Sequence, residues 1–163
     1  MVARQCAAAG SDERTARCDR ERSCRISRQP GHLEAKGSPI TLPDGTTVPR
    51  LPGFRRWIWD GEAVGSIGLR WQRGTSALPP HVLGHIGYAV VPWKEGRGYA
   101  TEALRLMLGE ARAVGLDHVE ITTDLDNLAS QKVILANGGI LIGRFAKVAA
   151  YGGAESLKYR IDL

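Results

Sequence analysis

The sequence predicts an α/β domain in which helices pack on a mixed sheet. Short apolar segments of alternating character are bounded by glycine and proline, as strands usually are. Two other segments have the apolar pattern and the polar or glycine ends of helices. The segments follow the order hairpin, strand, helix, strand, helix, strand, strand, which is typical of a layered α/β domain.

Length and composition indicate an ordinary globular protein. The 163 residues suggest a single domain that is large enough to bury a core. No apolar run approaches membrane-spanning length, and the N-terminus lacks the apolar stretch of a secretory signal, so we expect a cytoplasmic protein without membrane contact. The net charge of +5 suits a polyanion or a small ligand with several phosphates, and charge alone does not choose between them.

The first 36 residues differ from the rest. They are rich in arginine and poor in large apolar side chains, so we expect residues 1–36 to be poorly ordered and the domain to occupy residues 37–163. These arginines could contact nucleic acid, but acidic residues lie among them and no aromatic side chain offers a stacking platform. Cys6, Cys18, Cys24 and His32 could bind zinc; without a tight C-x-x-C pair we favour free thiols and no metal.

The remaining elements follow one another with short connections. Residues 37–53 contain four prolines and are predicted to form a loop with a tight turn at 43–45. Two strands joined by Asp60-Gly61 form a predicted hairpin, and we expect its tryptophans to serve core and sheet packing rather than a ligand cage. These tryptophans are Trp57, Trp59 and Trp71. The later strands are predicted at 85–91, 117–123, 140–145 and 156–161, and the helices begin near residues 100 and 128.

Residues 84–108 join a strand to a helix through a glycine-containing turn. The first amides of a helix have no partner within it and carry about half a positive charge. Gly96 and Gly98 lack a Cβ, so a ligand can approach the amides of this turn closely. Lys94 and Arg97 add positive charge beside it. The turn is therefore predicted to hold a phosphate or a pyrophosphate.

Two motifs in this chain carry a family resemblance. Ala89-Val90-Val91-Pro92 followed by Gly96-Arg97-Gly98-Tyr99-Ala100-Thr101 resembles the acetyl-CoA signature of the GNAT superfamily of N-acetyltransferases. Asp126-Asn127-Leu128-Ala129-Ser130 followed by Asn137-Gly138-Gly139 resembles the second block of that family. The resemblance runs from about Phe54 to the C-terminus and implies a mostly antiparallel sheet, opened beside its central strand, with acetyl-CoA as the co-substrate.

The resemblance also implies which residues bind acetyl-CoA. The glycine turn would wrap the pyrophosphate, and backbone amides around Val90 and Val91 would polarise the thioester carbonyl. Asn127 would hold the pantetheine arm, cap a helix, or do both. The complete set is Ala89, Val90, Val91, Lys94, Gly96, Arg97, Gly98, Tyr99, Ala100, Thr101, Asn127 and Ser130.

Catalytic residues are predicted from the same resemblance. His85 is the candidate general base because it lies on the central strand just before the thioester-binding segment and has a suitable ordinary pKa, whereas Glu62 and Glu120 are weaker alternatives. Many relatives use a tyrosine seven residues after the conserved asparagine as the acid, and Ile134 stands there in this chain. Tyr99 or Tyr151 could replace it, or the thiolate could leave without an acid.

Glu95 is a further departure, because it stands where the loop pattern expects Arg or Gln. A like charge about 8 Å from a phosphate costs about 0.5 kcal/mol in water, which Lys94 could offset. The family usually begins with a strand and one or two helices that wall the acceptor site, and this chain has no long amphipathic helix there. Loops or a second subunit would then build the wall, which makes a homodimer a candidate assembly.

The sequence thus supports an acetyl-CoA-dependent transferase whose acceptor is a primary amine of a small molecule or a protein. The alternative is a non-catalytic, CoA-binding sensor or scaffold, which Glu95, the residue at position 134 and the unusual N-terminal region favour. Binding of nucleic acid by the arginine-rich segment is the least favoured hypothesis.

Overall fold

The structure is a computed structural model that describes residues 24–26, 39–148 and 151–163. Predictions for the remainder of the N-terminal segment, including Cys6, Cys18 and His32, lie outside the described residues. Neither described helix combines the length and the apolar character that a bilayer-spanning helix needs. The strands are β1 (Arg25–Ile26), β2 (Ile40–Thr41), β3 (Thr47–Val48), β4 (Gly53–Trp59), β5 (Ala63–Arg70), β6 (Ile86–Val90), β7 (His118–Asp124), β8 (Ile140–Ala146) and β9 (Glu155–Asp162), and the helices are α1 (Tyr99–Ala113) and α2 (Leu128–Ala136).

The predicted α/β class is confirmed, with strands arranged in antiparallel groups. One sheet has the order β1-β4-β5-β6, a second has the order β7-β9-β8, and β2 and β3 form a separate hairpin. The core contains alternate residues of β7, with Ile67 and Leu69 of β5, Leu157, Tyr159 and Ile161 of β9 and the apolar face of α1, because side chains of a strand alternate between its two faces. The resulting core runs across both sheets.

Among the described residues, hydrogen bonds join β6 to β7 where the strand leading into β6 passes Glu120, at His85. The backbone N–H of His85 donates to the carbonyl of Glu120 over 2.7 Å. In return the N–H of Glu120 donates to Nδ1 of the His85 ring over 2.9 Å. The preceding Gly84 fits closely, since a Cβ there would lie 3.0 Å from the Glu120 carbonyl oxygen. We call this pair of hydrogen bonds the seam. Beyond it β6 and β7 form no ladder, and a cleft separates them.

Helix α1 follows from its sequence. Gly98 lies at its N-terminus with φ 81°, and Gly115 follows its C-terminus with φ 85°, a left-handed conformation that favours glycine. At the far end of α2, the side-chain amide of Asn137 donates to the carbonyls of Thr101 and Val133. This bridge joins the end of α2 to the first turn of α1.

Two predictions about side chains and loops need correction. Trp57 and Trp59 are 51% and 47% exposed, whereas Trp71 is buried as predicted. Both exposed tryptophans share the outer face of β4, because Ile58 between them takes the inner face. The predicted loop at residues 37–53 contains the β2–β3 hairpin, and its expected turn is confirmed by the Thr46 N–H donating to the Asp44 carboxylate over 2.9 Å.

Gly65 sets the spacing of β5 and β6. A Cβ at this position would lie 2.3 Å from the carbonyl oxygen of Ala89 and 3.0 Å from Cα of Val90. The Gly65→Ala change should therefore push β6 away and lower the free energy of unfolding by about 1–3 kcal/mol. Gly109→Ala is a matched control, because nothing lies within 4 Å of its Cβ and alanine favours a helix interior. Urea unfolding measures both; equal stability of Gly65→Ala and the unsubstituted protein would contradict the close packing.

Candidate functional site

The glycine turn presents unpaired amides at the start of α1. Gly96 and Gly98 both adopt positive φ, and Gly98 provides no side chain to cap the helix. Within the described residues, the N–H groups of Gly96, Arg97, Gly98, Ala100 and Thr101 donate to no backbone carbonyl. Free amides together with the positive end of a helix form a binding site for phosphate groups. The geometry agrees with the anion site that the sequence predicts.

This turn forms one wall of a cavity of about 770 Å³. Strand β6 and the first turns of both helices form the other walls. Every predicted CoA-binding residue except Val91 lines the cavity. Six further residues line the cavity and were not in the predicted CoA-binding set. They are Tyr88, Glu95, Ala129, Lys132, Val133 and Ala136.

Val91 requires a correction. Its N–H donates to the carbonyl of Val64 over 2.9 Å, and its carbonyl accepts from Lys94, so its backbone groups are not available to a thioester. Strand residues direct their backbone groups to alternate edges. Because Val91 points towards β5, the N–H of Val90 points to the opposite edge, towards β7. The backbone N–H of Val90 is therefore available to a thioester carbonyl, whereas that of Val91 is not.

The charges around the turn also differ from expectation. Nζ of Lys94 lies 2.7 Å from the carboxylate of Glu62, and the lysine side chain is only 14% exposed. Lys94 is therefore balanced by Glu62 and does not serve mainly to offset Glu95. Arg97 and Lys132 line the cavity without an ion pair to any described residue. These two cations and the helix amides remain to attract a phosphate.

A second, smaller cavity of about 270 Å³ occupies the cleft between β6 and β7. It shares Tyr88, Asn127 and Ser130 with the larger cavity, so the two cavities adjoin. Asn127 caps α2, because its Oδ1 accepts the N–H of Ser130 over 3.0 Å. The side-chain nitrogen of Asn127 forms no hydrogen bond with the described residues. The amide can thus cap the helix and also donate to a ligand, as the sequence analysis allowed.

Tyr88 places a hydroxyl where the two cavities join. Its oxygen lies 2.8 Å from Oγ of Ser130, at the start of α2. Burial raises the pKa of Tyr88, while the hydrogen bond with Ser130 partly offsets that shift. The phenol is therefore protonated at neutral pH and can donate. In the sequence, the alternation of Tyr88 with Ile86 and Val90 indicates that these three side chains share one face of the strand. It does not indicate that Ser130, 42 residues later, is the partner of Tyr88.

His85 is fully buried in the seam. Burial is the main cause that lowers its pKa to about 4, and Glu120 acts in the opposite direction. Its Nδ1 accepts a hydrogen bond from Glu120, and its Nε2 has no partner within the described residues. Through these hydrogen bonds His85 joins the two sheets. Nε2 is the ring nitrogen left for the predicted role as general base.

The other predicted catalytic groups have partners elsewhere. The hydroxyl of Tyr99 donates to the carboxylate of Asp60 at the β4–β5 turn. Glu120 lies 3.1 Å from Nζ of Lys158. Tyr151 lines a separate cavity on the other side of β5 and β6. Ile134 is fully buried in the core.

Cys24 lies beside the first turn of α1. Its Sγ is 3.8 Å from the carbonyl oxygen of Tyr99 and it is a free thiol. Burial, followed by the nearby Glu102 and Asp60, raises its pKa to about 11. Across the described residues, no three His, Cys, Asp or Glu side chains lie together as metal ligands would.

The chain is similar to known acetyltransferases. A family model described as an acetyltransferase (GNAT) domain matches residues 46–140, and no curated protein sequence gives a significant match. Among solved structures, MccE, the microcin C7 self-immunity acetyltransferase in complex with acetyl-CoA and AMP, has a TM-score of 0.57 at 18% identity, over 68% of this chain and 61% of that one. RimJ of Mycobacterium smegmatis in complex with CoA-disulfide has a TM-score of 0.55 at 24% identity, over 68% and 53%.

A third similar structure is the ribosomal-protein-S5-alanine acetyltransferase of Vibrio fischeri, with a TM-score of 0.55 at 19% identity over 68% of this chain and 61% of that one. This chain thus spans less than two thirds of the length of these three neighbours. At these identities the similarity establishes a shared fold.

The seam predicts a pH dependence of stability. The pKa of His85 is about 4 in the folded chain and ordinarily about 6.5, so the unfolded chain binds the proton first as the pH falls. The free energy of unfolding should therefore have its full value above pH 6.5, and it should fall by about 3 kcal/mol as the pH decreases to about 4. His85→Asn, whose Oδ1 can still accept from Glu120, should lack this loss.

Variants of nearly equal shape separate the hydrogen bond from the titration. His85→Leu leaves the N–H of Glu120 without an acceptor and should be about 1–3 kcal/mol less stable than His85→Asn at pH 7. His118→Asn controls for a neighbouring ring, whose centroid lies 6.4 Å from that of His85. Urea unfolding at several pH values measures all of these. An unchanged pH dependence in His85→Asn would contradict the assignment.

Proposed function

The chain belongs to the GNAT acetyltransferase family, whose model matches more than half of the chain, and we propose that it transfers an acetyl group from acetyl-CoA to a primary amine. The amides of Gly96, Arg97, Gly98, Ala100 and Thr101, which donate to no backbone carbonyl of the described residues, give the strongest support. These amides face a cavity that adjoins the cleft where a thioester would react. In this arrangement the pyrophosphate of acetyl-CoA binds the turn and Arg97, and the pantetheine arm passes Asn127.

The carbonyl of the thioester is activated at β6. The N–H of Val90 points into the cleft and can donate to the carbonyl oxygen as negative charge develops there. The neutral amine then attacks the carbonyl carbon, so that a C–N bond forms. When the carbonyl forms again, the C–S bond breaks and its electron pair leaves on sulfur.

Tyr88 is the proposed proton donor to that sulfur. Its hydroxyl lies where the two cavities join, and Ser130 orients it. The proton given up by Tyr88 is replaced by the one that the attacking nitrogen loses as the amide forms. Tyr99, which the sequence suggested, is hydrogen-bonded to Asp60 and is the alternative donor.

The acceptor amine must first lose a proton. An amine with a pKa of about 10.4 is neutral in roughly one molecule in 2,500 at pH 7, so a base contributes typically about 10²–10⁴-fold. The Nε2 atom of His85 is the atom that the sequence-based hypothesis requires. With a pKa of about 4 it is a weak base, which favours deprotonation by solvent before the amine binds.

Binding of CoA without transfer is the alternative function. The buried Ile134 favours it, because that position carries the tyrosine acid in many relatives. The two functions differ in one measurement, the release of free CoA thiol with a panel of amines. Tight acetyl-CoA binding without thiol release for any amine would support the sensor or scaffold hypothesis.

Tyr88→Phe tests the proton donor. Loss of the hydroxyl should reduce kcat by about 10²-fold with little change in the dissociation constant of acetyl-CoA, because the hydroxyl acts on the leaving sulfur. Thiol release measures kcat, and calorimetric titration measures binding. Tyr99→Phe is the matched control, and we expect it to lower stability through the lost bond to Asp60 while kcat stays within about threefold.

The opposite ranking of the two variants would restore Tyr99 as the acid. If neither variant slows the reaction, the thiolate leaves unassisted and the assignment of Tyr88 is wrong.

A further inference from the structure

A third cavity, of about 590 Å³, lies on the side of β5 and β6 that carries Gly68 and Gly87. The β2–β3 hairpin, residues 49–51, residues 81–82 and Tyr151 form its walls. It therefore supplies the wall that the sequence analysis could not find, with a hairpin and loops in place of long helices. Gly87 also lines the cleft between β6 and β7, so the floor of this cavity lies beside the reaction centre.

The cavity is positively charged. Arg50, Arg55, Arg70 and His81 line it, and none of the described residues that line it is acidic. The guanidinium groups of these three arginines form no hydrogen bond or ion pair with a described residue. A concave surface that concentrates one sign of charge attracts ligands of the opposite sign.

Two of these arginines lie over glycines of the sheet. Nη2 of Arg70 is 3.7 Å from the position of a Cβ on Gly87, and Nε of Arg55 is 3.8 Å from that of a Cβ on Gly68. Gly68 and Gly87 are paired neighbours on β5 and β6, so the two guanidinium groups approach the same part of the floor. Guanidinium groups bind carboxylates and phosphates through paired hydrogen bonds.

We propose that this cavity binds an acceptor amine that carries a carboxylate or a phosphate group. Arg55 and Arg70 hold the anionic group, and the amine reaches the thioester past Gly87. Arg50 adds positive charge around the cavity. The same charge disfavours polyamines. This proposal rests on the proposed function, because it names the substrate class of that reaction.

Paired probes that differ only in the anionic group test the proposal. The full-length chain is first saturated with CoA, which occupies the other phosphate site, and is then titrated calorimetrically. O-phosphoethanolamine is compared with ethanolamine, and β-alanine with its amide, so the two pairs separate phosphate from carboxylate recognition. Putrescine serves as the cationic probe. At least one anionic probe should bind about tenfold or more tightly than its uncharged partner, and putrescine should bind most weakly.

Variants assign the preference to the cavity. The double variant Arg55→Gln/Arg70→Gln should lose the preference, and in thiol-release assays it should raise KM for an anionic acceptor while leaving kcat within about threefold. Arg144 on β8 lines none of these cavities, so the Arg144→Gln variant should behave as the unsubstituted chain. Equal binding within both probe pairs, or a preference that survives the double variant, would overturn the proposal.

The outcome for CoA is read separately. If acetyl-CoA does not bind, the proposed function fails, and the same probe titrations without CoA still decide whether Arg55 and Arg70 bind anions. If acetyl-CoA binds and the uncharged probes are preferred, the proposed function stands and the substrate class is wrong.

Discussion

The pair of hydrogen bonds between His85 and Glu120 is the contact on which the site depends. It joins the sheet that ends in β6 to the sheet that begins with β7, and beyond it the strands separate. The cleft exists because the strands are tied at one end and free at the other. A ring nitrogen that accepts a buried backbone N–H must remain unprotonated, which explains why a histidine with a lowered pKa suits this position.

Strand β6 separates two cavities, because successive residues of a strand face opposite sides of the sheet. Tyr88 and Val90 line the larger cavity beside the two helices, whereas Gly87 lines the arginine-lined cavity. The absence of a side chain at Gly87 leaves the two cavities in contact at the cleft. In the proposed reaction, this one strand would present the thioester on one side and admit an amine from the other.

The sequence predicted features whose determinants lie close together in the chain. The turn and helix after β6 depend on Gly96, Gly98 and an apolar periodicity within a few residues, and all of them appear in the structure as predicted. Contacts between distant segments were not predictable. Lys94 binds Glu62 and Tyr88 binds Ser130, and no local pattern indicates either pair.

The same limit applies to side chains whose surroundings come from distant segments. The base role of His85 stays a prediction, and the sequence does not reveal that an amide 35 residues away faces its ring. Trp57 and Trp59 are large and apolar, which favours burial, but Ile58 and Phe54 take the inner face of β4 and the strand's period of two leaves the tryptophans outside. Val91 lies within the matching motif, and its amide is nevertheless used by Val64.

The most direct test of the account is thermal unfolding of the full chain with acetyl-CoA, with NADH and ATP as phosphate-bearing controls. Acetyl-CoA at about 100 times its dissociation constant should stabilise the fold by about 2.7 kcal/mol and raise the midpoint, with little effect of NADH or ATP. An unchanged midpoint at millimolar acetyl-CoA would mean that the glycine turn serves only packing, and the account of this site would be wrong.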